Sequence, residues 1–283
     1  MNDQATAPPA SGAGWDPKRA AMWKKWFPVI ERAAQVLSDR MVELAAIGPG
    51  DRVLDVATGL GEPAVTAARK AGPGGHVEGV DLSADMLDFA RERVRELGLG
   101  NVVFRKGDAA ALDVPLESYD SVLCRWGLMF MGDIAVPLRR FHAALKPGGR
   151  LVAAVWGPAD NALALSLSAR VVLAHLDMPP PDEGAGTPFG LADVDDLLAQ
   201  VEAAGFSDVR GEWVPINFTV QSCDEYARMR RERSAPLEAR IAHFPSDRRA
   251  AAWRAVALAA QAYADADGIV RMENAAFCVS ARR

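Results

Sequence analysis

The chain has 283 residues, 50% of them hydrophobic and 24% charged, with a formal net charge of −5. At roughly 150 residues per domain, that is one or two domains with a full core, and collagen-like, disordered and disulfide-scaffold compositions are excluded. The negative balance leaves no basic footprint for DNA or RNA, so nucleic acid is not an expected partner.

Residues 1–14 are rich in Ala, Pro, Gly and Ser, carry an early Asp3 and lack the basic start and apolar run of a signal peptide; they read as a disordered tail. Residues 15–48 read as an N-terminal helical cover, with Met22, Trp23, Trp26, Phe27 and Ile30 at helical spacing and Pro28 expected to kink or break it. From residue 52 strands and helices alternate: strand 52–56, a glycine loop, a helix opened by Pro63, strand 76–80, helix 84–97, strand 102–106, strand 121–124, helix 134–145 and strand 150–155. Such alternation predicts an α/β fold, a mainly parallel sheet with helices on both faces. The rhythm then changes. Residues 158–190 and 222–268 read as helical cap insertions into one domain spanning 49–283, with an amphipathic helix over 191–204. The strand-like runs 208–220 and 274–280 are expected to pair antiparallel across the second insertion. No apolar stretch is long enough to span a bilayer. Cys124, Cys223 and Cys278 are far apart and lack metal-ligand spacing, which fits a reducing cytoplasm.

The most informative segment runs from Val53 to Ala64, with Asp55, Ala57, Thr58, Gly59 and Gly61 at its centre. Small residues let backbone approach a ligand closely, and the helix that follows offers unpaired N–H groups. Gly59-x-Gly61-x-x-Ala64 alone also satisfies a dinucleotide fingerprint or a plain tight turn. Three acids narrow the choice. Asp81 follows the second strand, where a carboxylate can accept from both hydroxyls of a ribose, and Asp108 follows the third. Asp55 would repel a pyrophosphate and favour a cofactor that carries positive charge.

Together these residues resemble the class I S-adenosylmethionine-dependent methyltransferases, in particular the ubiquinone/menaquinone-biosynthesis branch and many natural-product methyltransferases. The resemblance rests on Leu54-Asp55-Val56-Ala57-Thr58-Gly59-Leu60-Gly61, Gly79-Val80-Asp81-Leu82-Ser83-Ala84-Asp85-Met86-Leu87, Gly107-Asp108-Ala109, Cys124-Arg125-Trp126-Gly127 and Leu145-Lys146-Pro147-Gly148-Gly149-Arg150. Ala57 departs from the glycine that many members carry. The resemblance implies a Rossmann-like, doubly wound, seven-stranded sheet with an antiparallel last strand. It also implies S-adenosyl-L-methionine as cofactor, S-adenosyl-L-homocysteine as product, and transfer to a small acceptor, which the aromatic content of the caps suggests is apolar or aromatic. Ala57, Gly59 and Gly61 would flank the methionine portion, Asp81 would bind the ribose, and Leu82 and Met86 would pack on the adenine. Asp108 and Ala109 would meet the adenine amino edge, and Arg125 with Trp126 would lie beside the sulfonium.

Several positions keep two readings. Met86 can be core or adenine contact, and Trp23, Trp26 and Phe27 can be core or acceptor-binding aromatics. For Trp213, Phe218, Tyr226, Met229 and Phe244 core packing is the stronger reading one by one. His142 reads as a helix-surface residue and His76 as exposed, whereas His175 and His243 in the caps are the candidates for a general base. No cluster has metal spacing, so no metal is expected. A nicotinamide-dependent oxidoreductase using the same loop, and a cofactor-binding scaffold without turnover, are the alternatives. Oligomeric state is left open.

Overall fold

A computed structural model describes residues 16–180, 184 and 186–283. The expected tail over 1–14 lies outside the described residues, as does part of the first cap insertion. Asp16 caps the first helix, α1 (Pro17–Leu44), by accepting the Arg19 N–H at 2.7 Å, and Pro17 occupies its first turn. Pro28 does not break α1. It sits on the exposed face, so the Lys24 carbonyl it leaves unpaired meets water, while Leu37, Met41 and Ile30 bury the opposite face.

The alternating unit then follows: β1 (Arg52–Val56), α2 (Ala64–Ala71), β2 (His76–Asp81), α3 (Ala84–Glu96), β3 (Val102–Lys106), β4 (Tyr119–Arg125), α4 (Ala135–Ala144) and β5 (Leu145–Trp156). β5 begins earlier than the expected residue 150. Leu145 pairs with Tyr119 across a register shift, and the Lys146–Gly149 turn becomes an irregular start of the strand, closed by hydrogen bonds between Gly148, Gly149 and Arg283. After α5 (Leu163–His175) and α6 (Val194–Ala203) come β6 (Ser207–Val220), α7 (Cys223–Arg233), α8 (Ala235–Arg240), α9 (Ser246–Ala260) and β7 (Val270–Arg282).

The seven strands lie in the order β3-β2-β1-β4-β5-β7-β6. β1 to β5 are mutually parallel; β6 and β7 pair antiparallel as expected, and β7 inserts between β5 and β6. Sheet order reverses between β1 and β4, so the crevice at their carboxyl ends is where an open α/β sheet accepts a ligand. The core is continuous across the sheet, with Leu54, Leu87, Leu123, Phe141 and Tyr119 fully buried. Cys124, Cys223 and Cys278 are all free. Among the described residues, no helix is long and apolar enough to cross a membrane.

Candidate active site

Asp55 lies one residue before the end of β1 and is completely buried. Its Oδ2 accepts from the Thr58 hydroxyl (2.6 Å) and from the Ala64 N–H (3.0 Å) at the start of α2, where the helix dipole favours a carboxylate. Its Oδ1 is enclosed without a partner. Burial outweighs these donors and the nearby Arg125 charge, and pushes the Asp55 carboxyl up to about 7.

The loop after β1 runs through left-handed backbone at Ala57 (φ 59°), Gly59 (φ 55°) and Gly61 (φ 92°). The two glycines differ in purpose. A Cβ on Gly59 would meet nothing within 4 Å, whereas one on Gly61 would lie 3.2 Å from Ala90 Cβ and 3.4 Å from Phe104. Gly61 therefore lets α3 and β3 close on the loop, and Gly59 presents bare backbone to open space. Across the crevice Trp126 is also left-handed (φ 58°), and a Cβ on Gly127 would come within 2.5 Å of Ala57 Cβ. The loops after β1 and β4 thus touch, and strain at two non-glycine residues, worth ~1–3 kcal/mol each, is held where the strands end.

Asp81, at the end of β2, accepts the Gly59 N–H on Oδ2 (2.8 Å) and the Ser83 N–H on Oδ1 (2.9 Å). Burial raises its pKa against those backbone donors. The carboxylate is fixed in orientation and retains lone pairs for further donors. Leu82 is half-buried beside it. At the end of β3, Asp108 caps a short 3-10 turn by accepting the Ala110 N–H at 2.9 Å, and Ala109 is buried.

A small apolar cluster roofs this edge. Ala20 of α1, Leu60 of the loop and Met86 of α3 are buried together, with Trp23, Phe27 and Phe89 packed around them. The N-terminal helix therefore covers the glycine loop. Trp23 faces that cluster, whereas Trp26 is turned away from it: it is 4% exposed, and its indole N–H donates to Glu232 of α7 at 2.7 Å. Trp26 ties α7 to α1.

Arg125 is oriented differently from the expectation for a group beside the sulfonium. Its guanidinium makes a bidentate pair with Glu31 (2.9 and 2.8 Å) and donates to the Ser38 hydroxyl (2.7 Å), with side chains 8% and 10% exposed for Arg125 and Glu31. These donors fasten α1 to the end of β4. Trp126, the next residue, stacks on Trp156 at the end of β5 (centroids 4.6 Å apart, 16° between planes), and its indole N–H is enclosed without a partner.

His175 and His243 are both exposed, on the last turn of α5 and after α8. His142 packs edge-on against Phe206 and is half-buried, as is His76. Trp213 departs from the core reading: it is 42% exposed on β6, lying against Gly157 and Phe277, while Phe218, Tyr226 and Met229 are buried. No group of His, Cys, Asp and Glu with metal-binding geometry occurs among the described residues. Three contributors escape a linear reading. Trp156 had a signal, since it ends a strand on the ligand edge as Trp126 does. Glu31 and Ser38 had none, because their partner lies far along the chain.

Residues 47–171 match the methyltransferase domain family model. The demethylmenaquinone methyltransferase of Listeria welshimeri is 35% identical over 138 residues, covering 46% of this chain and 58% of the relative. The ubiquinone/menaquinone biosynthesis C-methyltransferase of Teredinibacter turnerae is 36% identical over 123 residues, covering 43% of this chain and 49% of the relative. The chain spans about half the length of the curated relatives it matches. A SAM dependent methyltransferase from Aquifex aeolicus shares the fold, with a TM-score of 0.53 and 21% identity over 71% of this chain and 93% of that one. Residues 47–171 are thus similar to a methyltransferase domain, and the chain shares the fold of that solved methyltransferase.

Proposed function

We propose that the protein transfers a methyl group from S-adenosyl-L-methionine to a small apolar or aromatic acceptor, at oxygen or carbon. The observation that carries this reading is the acid-and-glycine cradle at the ends of β1 and β2. Asp55 Oδ1 is enclosed and unpartnered, Asp81 is held by backbone N–H groups, and Gly59 opens to space between them. These residues fit the cofactor's chemistry: Asp55 would accept from its aminium, Asp81 from its ribose hydroxyls, and Leu82 and Met86 would cover its adenine. Asp55 beside the glycine loop would repel a pyrophosphate, which disfavours a nicotinamide dinucleotide.

When bound, the cofactor supplies a methyl group already activated on a sulfonium. The chain then has to align the acceptor and exclude water, a positioning contribution of about 7–11 kcal/mol for well-oriented reactants. Trp126 and Trp156 offer a stacked aromatic wall with one free indole N–H for an acceptor, and α1 closes the opposite side. No histidine is enclosed at this edge, so the reading favours acceptors that ionise readily, an acidic enol or phenol, over plain alcohols.

A thermal-shift series with S-adenosylmethionine, S-adenosylhomocysteine and NAD tests the cofactor. Stabilisation by the first two and not by NAD is expected, and the reverse order would overturn the reading. Incubation with methyl-labelled cofactor and a metabolite extract then tests turnover; cofactor binding with no labelled product would leave a scaffold role instead.

A further inference from the structure

The cap carries half-buried positive charge that nothing in the methyl-transfer cradle uses. Arg233, the last residue of α7, lies with its guanidinium carbon 4.0 Å from the centre of the Trp23 ring. Its Nε is enclosed, and among the described residues it makes no hydrogen bond and no ion pair. One turn earlier, Arg230 points the same way into the cap and is anchored on α5, donating to the Leu165 carbonyl (2.9 Å) and the Ser168 hydroxyl (3.2 Å). Arg19, from α1, adds a third positive charge close enough to act on Arg233. Burial, then the charges of Arg230 and Arg19, push the Arg233 guanidinium down to about 9. The acids at hand are occupied: Glu232 is taken by Lys25 and Trp26, and Asp16 by the Arg19 backbone. A cation held this way is costly unless an anion completes it.

Position gives the charge a meaning. Trp23 packs against Leu60 and Met86 at the roofed cofactor edge and carries Arg233 on its ring, so the unpaired guanidinium adjoins the site. We propose that Arg233 binds a carboxylate of the methyl acceptor, with Trp23 packing on the acceptor's apolar body and Arg230 and Arg19 supplying field. This rests on the methyl-transfer reading and adds to it a substrate class, the small aromatic or apolar acid. A carboxylate is favoured over a phosphate ester because one guanidinium fork remains, and one fork matches one bidentate carboxylate. The donors of Arg230 named above are already committed, and a dianionic phosphate would call for more.

The test titrates the full chain calorimetrically with benzoate, benzamide and phenyl phosphate, with and without saturating S-adenosylhomocysteine. Benzoate is expected to bind and benzamide not. Arg233→Gln is expected to weaken benzoate at least tenfold, Arg233→Lys less, and both to leave S-adenosylhomocysteine affinity within twofold. The melting temperature of Arg233→Gln is expected to hold or rise, since an uncompensated cation is removed. No benzoate binding, equal binding of benzoate and benzamide, or indifference to Arg233→Gln would overturn the proposal; tighter, Arg233-dependent binding of phenyl phosphate would overturn the carboxylate assignment. If S-adenosylhomocysteine fails to bind while benzoate still binds through Arg233, the methyl-transfer reading falls and the anion site stands.

Discussion

Two arginines, one paired and one half-buried without an acid, show how differently the sheet edge and the cap treat charge. Arg125, where β4 ends, is matched by Glu31 in a bidentate pair with Ser38 beside it, and it joins α1 to the sheet. Arg233, where α7 ends, is covered by Trp23 and matched by no acid among the described residues. The same side chain is structural where its counter-charge is built in, and a candidate for binding where it is not. The sheet edge repeats the contrast with acids: Asp81 is held by backbone donors on both oxygens, whereas Asp55 keeps one oxygen unsatisfied.

The sharpest way to break this comparison is to unmatch the matched pair. Glu31→Ala leaves Arg125 buried without its carboxylate and should cost about 3–5 kcal/mol, read as a lower urea midpoint. Replacing both partners with apolar residues, Glu31→Leu with Arg125→Met, should recover most of that loss; an unchanged midpoint in Glu31→Ala would show the pair to be dispensable. Next in size, Asp81→Ala removes the acceptor proposed for the ribose, and S-adenosylhomocysteine affinity should fall about 100-fold in calorimetry with the fold retained. Unchanged affinity would remove Asp81 from the cradle.

The two loop glycines separate packing from binding. Gly61→Ala meets both a left-handed backbone and the Ala90 and Phe104 side chains, so it should lower stability by ~1–3 kcal/mol. Gly59→Ala meets open space and should cost about 1 kcal/mol of stability while reducing cofactor affinity more than Gly61→Ala does. Equal effects of the two on binding would collapse the distinction.

The smallest effect is one of pH. The Asp55 carboxyl is raised from 3.8 to about 7, so over that interval the folded state keeps a proton that the unfolded chain has lost. Its contribution to stability is full below the unfolded value and is lost as pH rises towards 7. The ligand-free melting temperature should therefore decline from about pH 5 to about pH 7 more steeply in the wild type than in Asp55→Asn. Cofactor affinity should strengthen over roughly pH 6 to pH 8, as the carboxylate ionises, and Asp55→Asn should flatten that rise. Parallel pH profiles for the two proteins would show that Asp55 does not titrate in this range.

Much of this was legible along the chain because its causes are local. β3 spans the expected residues 102–106, since a short apolar run bounded by turn residues needs no distant partner to be recognised. The Gly59–Gly61 loop and Asp81 were legible because a strand end, tight loop and helix start follow one another in sequence. What escaped was set by partners far away. Pro28 breaks helices on average, yet it is tolerated because it sits on the exposed face of α1. Trp26 looked like its neighbour Trp23 until Glu232 of α7 claimed its indole N–H.

By itself, then, the amino-acid sequence determined the order of strands and helices, the glycine loop and the acids that follow β1, β2 and β3. Each depends on neighbours within a turn or a strand. Tertiary structure decided which glycine packs and which opens, which tryptophan packs over the glycine loop, and which arginine is left without an acid. Those outcomes depend on the side chains that distant segments bring within hydrogen-bonding reach, and no local spacing encodes them.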